Sequence, residues 1–272
     1  MSIETIPRLG LGTYSDTDRD RWRDRVEHAL EIGYRHIDSA QAYENEVYVG
    51  RGLADADVPR GEVFLTTKTV HPSEIHGPSH EEVIEATEGC LDRLGVEYVD
   101  LLYVHWPDGI YDPDVTLPAF DELYDRGSVR HVGVSNFEPD LLDEARNHLN
   151  APLFANQVEM HPLLQQEHLL EYAQAHDLWL VAFCPLAQGA VLEEPVIREV
   201  AEKHDATPAQ ISLAWLLSKD NVVAIPKASS AQHRQENFAA RELDLDEADL
   251  AAIDEIDREH RVIDREYAPW NR

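Results

Sequence analysis

Val63-Phe64-Leu65-Thr66-Thr67-Lys68 and, further on, Val99-Asp100-Leu101-Leu102-Tyr103-Val104-His105 are two strand-like runs that each end on one ionisable side chain. The short run His36-Ile37-Asp38 ends the same way, and Tyr43 follows just beyond it. Function gathers at the C-terminal strand ends of an α/β barrel. In such a fold a carboxylate, a phenol, an ammonium and an imidazole would converge there. They suit protonation of a carbonyl oxygen while a hydride arrives at its carbon. A phenol is a poor acid at a reference pKa of about 10, but a nearby cation favours its phenolate, and a partly buried carboxylate can hold that cation in place.

Outward from these runs the chain alternates. A helix is predicted over 21–32, where Trp22, Val26, Ala29 and Leu30 share a face and Gly33 is the stop. A strand over 34–39 and a helix over 44–54 precede the run that ends at Lys68. Ser79 can cap a helix through Val83, Ala86, Cys90, Leu91 and Leu94 before Gly95. In the second half, helices are predicted over 117–126, 139–148, 167–176, 195–204 and 208–219, with Pro208 at a helix start where its missing donor is harmless. Strands are predicted over 129–135, 154–160, 178–183 and 222–226. A last extended piece over 238–242 precedes a helix over 247–258. Residues 3–14, with Pro7 and the Gly10-Leu11-Gly12 turn, read as a β-hairpin ahead of the main fold. Eight core strands in βαβα order define an α/β chain, with an eightfold barrel among the arrangements open to it. A length of 272 residues suits one such barrel and also admits two domains.

The 53 acidic against 23 basic side chains give a formal charge of −30, and only Lys68, Lys203, Lys219 and Lys227 are lysines. Such a field repels nucleic acid and anionic membrane, so neither is expected as a partner. An acidic, lysine-poor surface resembles that of salt-adapted, halophilic cytoplasmic proteins, and high salt is expected to screen its self-repulsion. Cys90 and Cys184 cannot build a disulfide framework, which fits a reducing compartment. The first residues do not read as a secretory signal, and no stretch approaches the roughly 18 apolar residues of a membrane span. A cytoplasmic protein is expected.

Three motifs then carry a resemblance over nearly the full length. They are Gly33-Tyr34-Arg35-His36-Ile37-Asp38-Ser39-Ala40 continuing through Tyr43-Glu44-Asn45-Glu46 to Val49-Gly50; Val129-Arg130-His131-Val132-Gly133-Val134-Ser135-Asn136-Phe137; and Ile225-Pro226-Lys227 followed by Glu236-Asn237-Phe238. With Thr66-Thr67-Lys68 and Val104-His105-Trp106-Pro107 between them, the chain resembles the aldo-keto reductase family, and within it the prokaryotic small-carbonyl and diketo-gluconate reductases. The resemblance implies one domain over 1–272, a single (β/α)8 TIM barrel, and a monomer. It implies reduction of aldehydes or ketones, keto sugars and keto acids included. Tyr43 would be the general acid, with its pKa lowered by Lys68. Asp38 would pair with Lys68, and His105 would orient the carbonyl.

Hydride transfer needs a donor that no side chain supplies, so a nicotinamide cofactor is implied. No Gly-x-Gly-x-x-Gly follows the first strand, which counts against a doubly wound dinucleotide domain. By resemblance Ser135, Asn136 and Gln157 would bond the nicotinamide carboxamide, Phe183 would stack on its ring, and Leu186 would lie beside the pyrophosphate. The family commonly reads Ile-Pro-Lys-Ser with an arginine six residues after the lysine, around the 2'-phosphate of NADPH. Here Ala228 replaces the serine and His233 the arginine, leaving Lys227, Ser229, Ser230 and Arg234 to compensate. NADP(H) is therefore expected, with weak discrimination against NAD(H). Glu236 and Asn237 would face adenine. Tyr14, Trp106 and Trp270 are the substrate-pocket candidates, with His71 and Phe137 weaker ones.

Two other classes compete. A catalytically silent nucleotide-binding or subunit-like protein would have no need of an acid supported by a cation. Metal-dependent hydrolysis would need converging ligands; His-x-His is absent, and His71, His76 and His80, spaced five and four apart, read as solvent-exposed side chains. No metal is expected.

Overall fold

The computed structural model of the chain describes residues 5–14, 17–71, 79–109 and 111–271. Its first half runs β1 (Leu11–Gly12), α1 (Trp22–Glu31), β2 (His36–Asp38), α2 (Glu46–Asp55), β3 (Phe64–Thr69), α3 (His80–Leu94), β4 (Leu101–Val104) and α4 (Pro113–Asp125). The second runs β5 (Val132–Ser135), α5 (Pro139–His148), β6 (Leu153–Glu159), α6 (Glu167–Ala175), β7 (Trp179–Phe183), α7 (Pro195–Lys203), α8 (Pro208–Ser218), β8 (Val222–Ala224), α9 (Ala231–Ala239) and α10 (Glu247–Asp254). The eight strands pair in sequence order, every neighbour parallel. A parallel bridge between Leu9 and Ala224 closes the sheet on itself.

That closure corrects the expected N-terminal hairpin. Ile3 and Glu4 lie outside the described residues, and the segment after them enters the barrel as its first strand. The Gly10 amide donates to the Ala224 carbonyl at 2.9 Å, and the Gly12 amide to that of Pro226 at 3.2 Å. Neither glycine marks a turn. A Cβ on Gly12 would stand 2.6 Å from the Ile225 carbonyl oxygen, and one on Gly10 would stand 2.6 Å from the His36 ring. They are glycines because neighbouring groups approach the strand closely. The eighth strand expected over 238–242 is likewise corrected. Phe238 belongs to α9, whose first turn is capped when Ser230 Oγ accepts from the His233 amide, and Ala240–Glu242 continues as a 3-10 turn. Phe238 instead packs its ring 4.8 Å from that of Tyr34.

Helices cover the outside of the sheet for local reasons. On α1, Trp22, Val26, Ala29 and Leu30 are all at most 1% exposed, at the i, i+4, i+7, i+8 spacing of one face. Burying each large apolar side chain contributes about 1.5–3 kcal/mol. On α3, Ser79 and Glu82 exchange side-chain and backbone bonds at 3.2 and 3.1 Å, and Gly95 ends the helix at φ 68°. Such a cap is worth about 1 kcal/mol.

Strand alternation sets what faces inward. Phe64, Leu101, Tyr103, Ala155, Val181, Val223 and Ile225 pack in a cluster of their own, the barrel interior. Two or four residues further along the same faces come Lys68, His105, Gln157 and Phe183. The interior is thus apolar below and polar at the C-terminal end of the strands.

Candidate active site

At that end lies a cavity of about 370 Å³ whose walls include Asp38, Tyr43, His105, Ser135, Asn136 and Gln157. Lys68 stands beneath it, fully buried at the end of β3. Its Nζ donates to Asp38 Oδ1 at 2.5 Å, to the Ser39 carbonyl at 2.8 Å and to Tyr43 Oη at 3.3 Å. The other carboxylate oxygen of Asp38 accepts from Gln157 Nε2 at 2.8 Å. Tyr43 ends a 3-10 turn between β2 and α2 and is half-buried. The ring of His105 stands 5.9 Å from that of Tyr43, edge to face. Four side chains separated in sequence are therefore brought together.

The electrostatics follow from burial. Desolvation pulls the Lys68 ammonium below its ordinary value, and the contact with Asp38 opposes that pull. Burial, then the charge of Lys68 and then His71, push His105 well below the usual imidazole range, so it is neutral at neutral pH. His71, whose ring lies 5.0 Å from that of His105, is lowered by burial and then by Arg265. An ammonium held under a phenol, beside a neutral imidazole, can support proton donation to an oxygen placed between them.

The expected cofactor residues divide. Asn136 Nδ2 donates to Ser135 Oγ at 3.0 Å and to the His105 carbonyl at 3.2 Å, and Ser135 Oγ donates to the Gln157 carbonyl at 2.9 Å. Asn136 Oδ1 is buried on the same wall, and among the described residues no protein group bonds it. An acceptor left over beside two further polar side chains fits the amide of a nicotinamide. Phe183 joins the wall from the end of β7. Leu186 lies off the cavity, packed against the core, while Gln188, two residues on, lines it. Cys184, Ala187 and Gln188 all have positive φ, at 47°, 45° and 50°. Non-glycine residues held there cost about 1–3 kcal/mol each and cluster at functional sites.

At the far end, Lys227 is exposed and reaches the cavity wall. Ser229 and His233 are exposed beside it, at the start of α9. Glu236 accepts from Gln232 at 2.7 Å, and Asn237 is 3% exposed. Arg234 turns inward. Its Nη1 donates to the carbonyls of Ala228 and Ser229, each at 3.1 Å, and its Nε to His28 Nδ1 at 3.2 Å. The guanidinium braces the segment after Lys227, so its charge is committed to backbone carbonyls.

Tyr14 and Trp106 line the cavity as expected pocket residues. Trp270 does not. It sits behind Trp106, ring centroids 5.9 Å apart, with Arg261 4.2 Å from its own ring centroid. Tyr267, Arg265 and Ile263 of the same segment line the cavity instead. Residues 255–268 carry no helix or strand, so no periodicity tells which of their side chains turns inward. Phe137 is buried against Tyr111, off the cavity. Of the three histidines, His80 pairs with Glu122 at 3.3 Å, His71 lines the cavity and His76 lies outside the described residues. Cys184 is half-buried on the cavity wall, with its thiol pushed up to about 12 by burial and then by Glu159. Among the described residues no group of His, Cys, Asp or Glu side chains could hold a metal ion, and no helix is long and apolar enough to cross a membrane.

Residues 8–258 match the aldo/keto reductase family. The chain is 38% identical over 260 residues to the 9,11-endoperoxide prostaglandin H2 reductase of Trypanosoma cruzi (strain CL Brener), covering 94% of this chain and 90% of that one. It is 36% identical over 265 residues to the methylglyoxal reductase DkgB of Salmonella typhi, covering 96% and 97%. Among solved structures, an aldo-keto reductase enzyme from a Medee basin deep-sea metagenome library superposes with a TM-score of 0.89 at 34% identity, covering 96% and 94%. The chain belongs to the aldo/keto reductase family and is related to its bacterial diketo-gluconate and methylglyoxal reductases. It is an NADP(H)-dependent oxidoreductase that reduces small carbonyl compounds by hydride transfer.

Proposed function

We propose that the cavity reduces small polar aldehydes and ketones, keto sugars, keto acids and methylglyoxal-like dicarbonyls among them, with Tyr43 as the proton donor. One observation carries this reading: Lys68 Nζ touches both Asp38 and the Tyr43 hydroxyl at the closed end of the cavity. The bound nicotinamide supplies the hydride. Tyr43 gives its hydroxyl proton to the carbonyl oxygen as charge develops there, and the phenolate left behind faces the Lys68 ammonium. Asp38 holds that ammonium in place, and Gln157 holds Asp38. His105, kept neutral, hydrogen-bonds the carbonyl oxygen and orients it. A silent nucleotide-binding protein would have no use for this arrangement.

Asn136, with Ser135 and Gln157 beside it, would hold the carboxamide, and Phe183 would face the ring. The strained turn from Cys184 to Gly189 would follow the pyrophosphate. Lys227 and Ser229 would meet a 2'-phosphate beside the first turn of α9, with Glu236 and Asn237 toward adenine. We further propose that residues 1–272 work as one domain and a monomer, in a salt-rich cytoplasm, without nucleic-acid partners. The charge of −30 supports the last two readings.

Purified protein with NADPH and a panel of small aldehydes and keto acids should oxidise the cofactor without added metal. Tyr43→Phe should lower kcat by about 10²-fold or more while leaving NADPH affinity near that of the wild type. Near-normal turnover would assign the proton to another group. Because Ala228 has no hydroxyl and Arg234 is committed to carbonyls, the kcat/KM preference for NADPH over NADH should be only about 10-fold, or about 1.4 kcal/mol. Lys227→Ala should erase it; an unchanged ratio would remove Lys227 from the phosphate site. Melting temperature should rise from dilute buffer to molar KCl, and size-exclusion chromatography there should return a 30.9 kDa particle. A flat salt response would mean that paired charges already balance the surface.

A further inference from the structure

Glu159 closes β6 and is 1% exposed, unlike the solvated acids that dominate this surface. Its two carboxylate oxygens point at backbone donors. Oε1 accepts from the Val262 amide at 2.6 Å and Oε2 from the Ile263 amide at 2.7 Å. His161 Nε2, fully buried, lies 3.0 Å from Oε1 and braces it. Two residues before Val262 in the tail, the His260 amide donates to the Leu163 carbonyl at 2.7 Å. The Glu159 carbonyl also accepts from Gln166 at 2.8 Å, which fixes the loop after β6. Burial pushes this carboxyl upward, but the bonds from His161, Val262 and Ile263 outweigh it and hold Glu159 below the ordinary carboxylate range. It is ionised throughout the neutral range.

The tail that it grips has no helix or strand between Asp254 and Pro269, so no ladder of its own satisfies these amides. Ile263 at the grip, and Arg265 and Tyr267 just beyond it, line the catalytic cavity. Glu159 also lies two residues after Gln157 on one strand, hence on the same face. Residue 157 reaches Asp38 and residue 159 reaches the tail.

We infer that Glu159 is a positioning residue: it latches the tail at residues 262 and 263, so that Ile263, Arg265 and Tyr267 form the substrate-side wall of the cavity. The inference rests on the proposed reaction for the meaning of that wall. It predicts a defect in carbonyl binding with the chemical step spared.

The test is Glu159→Gln, which keeps size and shape but places an amide against one of the two tail donors. With glyceraldehyde as substrate, KM should rise about 10-fold, the scale of one charge-assisted hydrogen bond, while kcat and the NADPH Kd stay within about twofold. Trypsin should cut after Arg261 or Arg265 faster than in the wild type. Val262→Pro removes a donor instead of the acceptor, at a residue whose side chain does not line the cavity. It should reproduce both effects and add little to Glu159→Gln. An unchanged KM with unchanged trypsin protection in both variants overturns the latch, as does a loss confined to kcat or to NADPH affinity. If the wild type reduces no carbonyl, the proposed reaction fails, and trypsin protection alone still decides the latch.

Discussion

The site depends on one buried ammonium. Lys68 is fully buried, and an unpaired charge there would be several kcal/mol out of balance. Asp38 at 2.5 Å and the Ser39 carbonyl at 2.8 Å offset that cost, and Tyr43 Oη takes the third donor direction at 3.3 Å. The same ion pair therefore stabilises the barrel end and presents positive charge to a phenol. Gln157 fixes the far oxygen of Asp38 from across the barrel. These constraints tie β2, β3 and β6 to one point, and removing one partner would leave the other charged, buried and alone.

What surrounds this point is graded in rigidity. Inward-facing residues of strands supply Asp38, Lys68, Ser135, Gln157 and Phe183, and His105 follows β4 directly, so their positions follow from parallel pairing and period-two alternation. Tyr43 hangs on a short 3-10 turn, close enough to the strand end to be held by it. The substrate-side wall is built differently. It comes from a tail with no helix or strand over residues 255–268, gripped by a carboxylate at the end of β6. A wall of this kind can vary without disturbing the ammonium, which suits a scaffold whose relatives carry different names for their substrates.

The same grading explains what the sequence reveals. Strand runs that end on Asp38, Lys68 and His105 announce themselves, and the alternation of elements is legible to within a few residues. Gly10 and Gly12 mislead, because a glycine demanded by a close neighbour looks in sequence like a glycine demanded by a turn. Phe238 misleads because a short apolar run carries no period of its own. Arg234 reads as a candidate phosphate ligand, yet its partners are two carbonyls and a histidine that no local pattern could announce. The tail is the least legible part. Trp270 draws attention as an aromatic, whereas its neighbours Arg265 and Tyr267 reach the cavity. Glu159, one acid among 53, is distinguished only by what it touches.

The central claim is that Asp38 and Lys68 act on Tyr43 as one unit, and a double-mutant cycle on kcat tests it most directly. Asp38→Asn and Lys68→Met should each lower kcat by about 10²-fold or more, and the double variant should be no slower than the slower single. Melting curves would verify that all three variants fold. Losses that multiply, or a single variant close to the wild-type rate, would contradict the account.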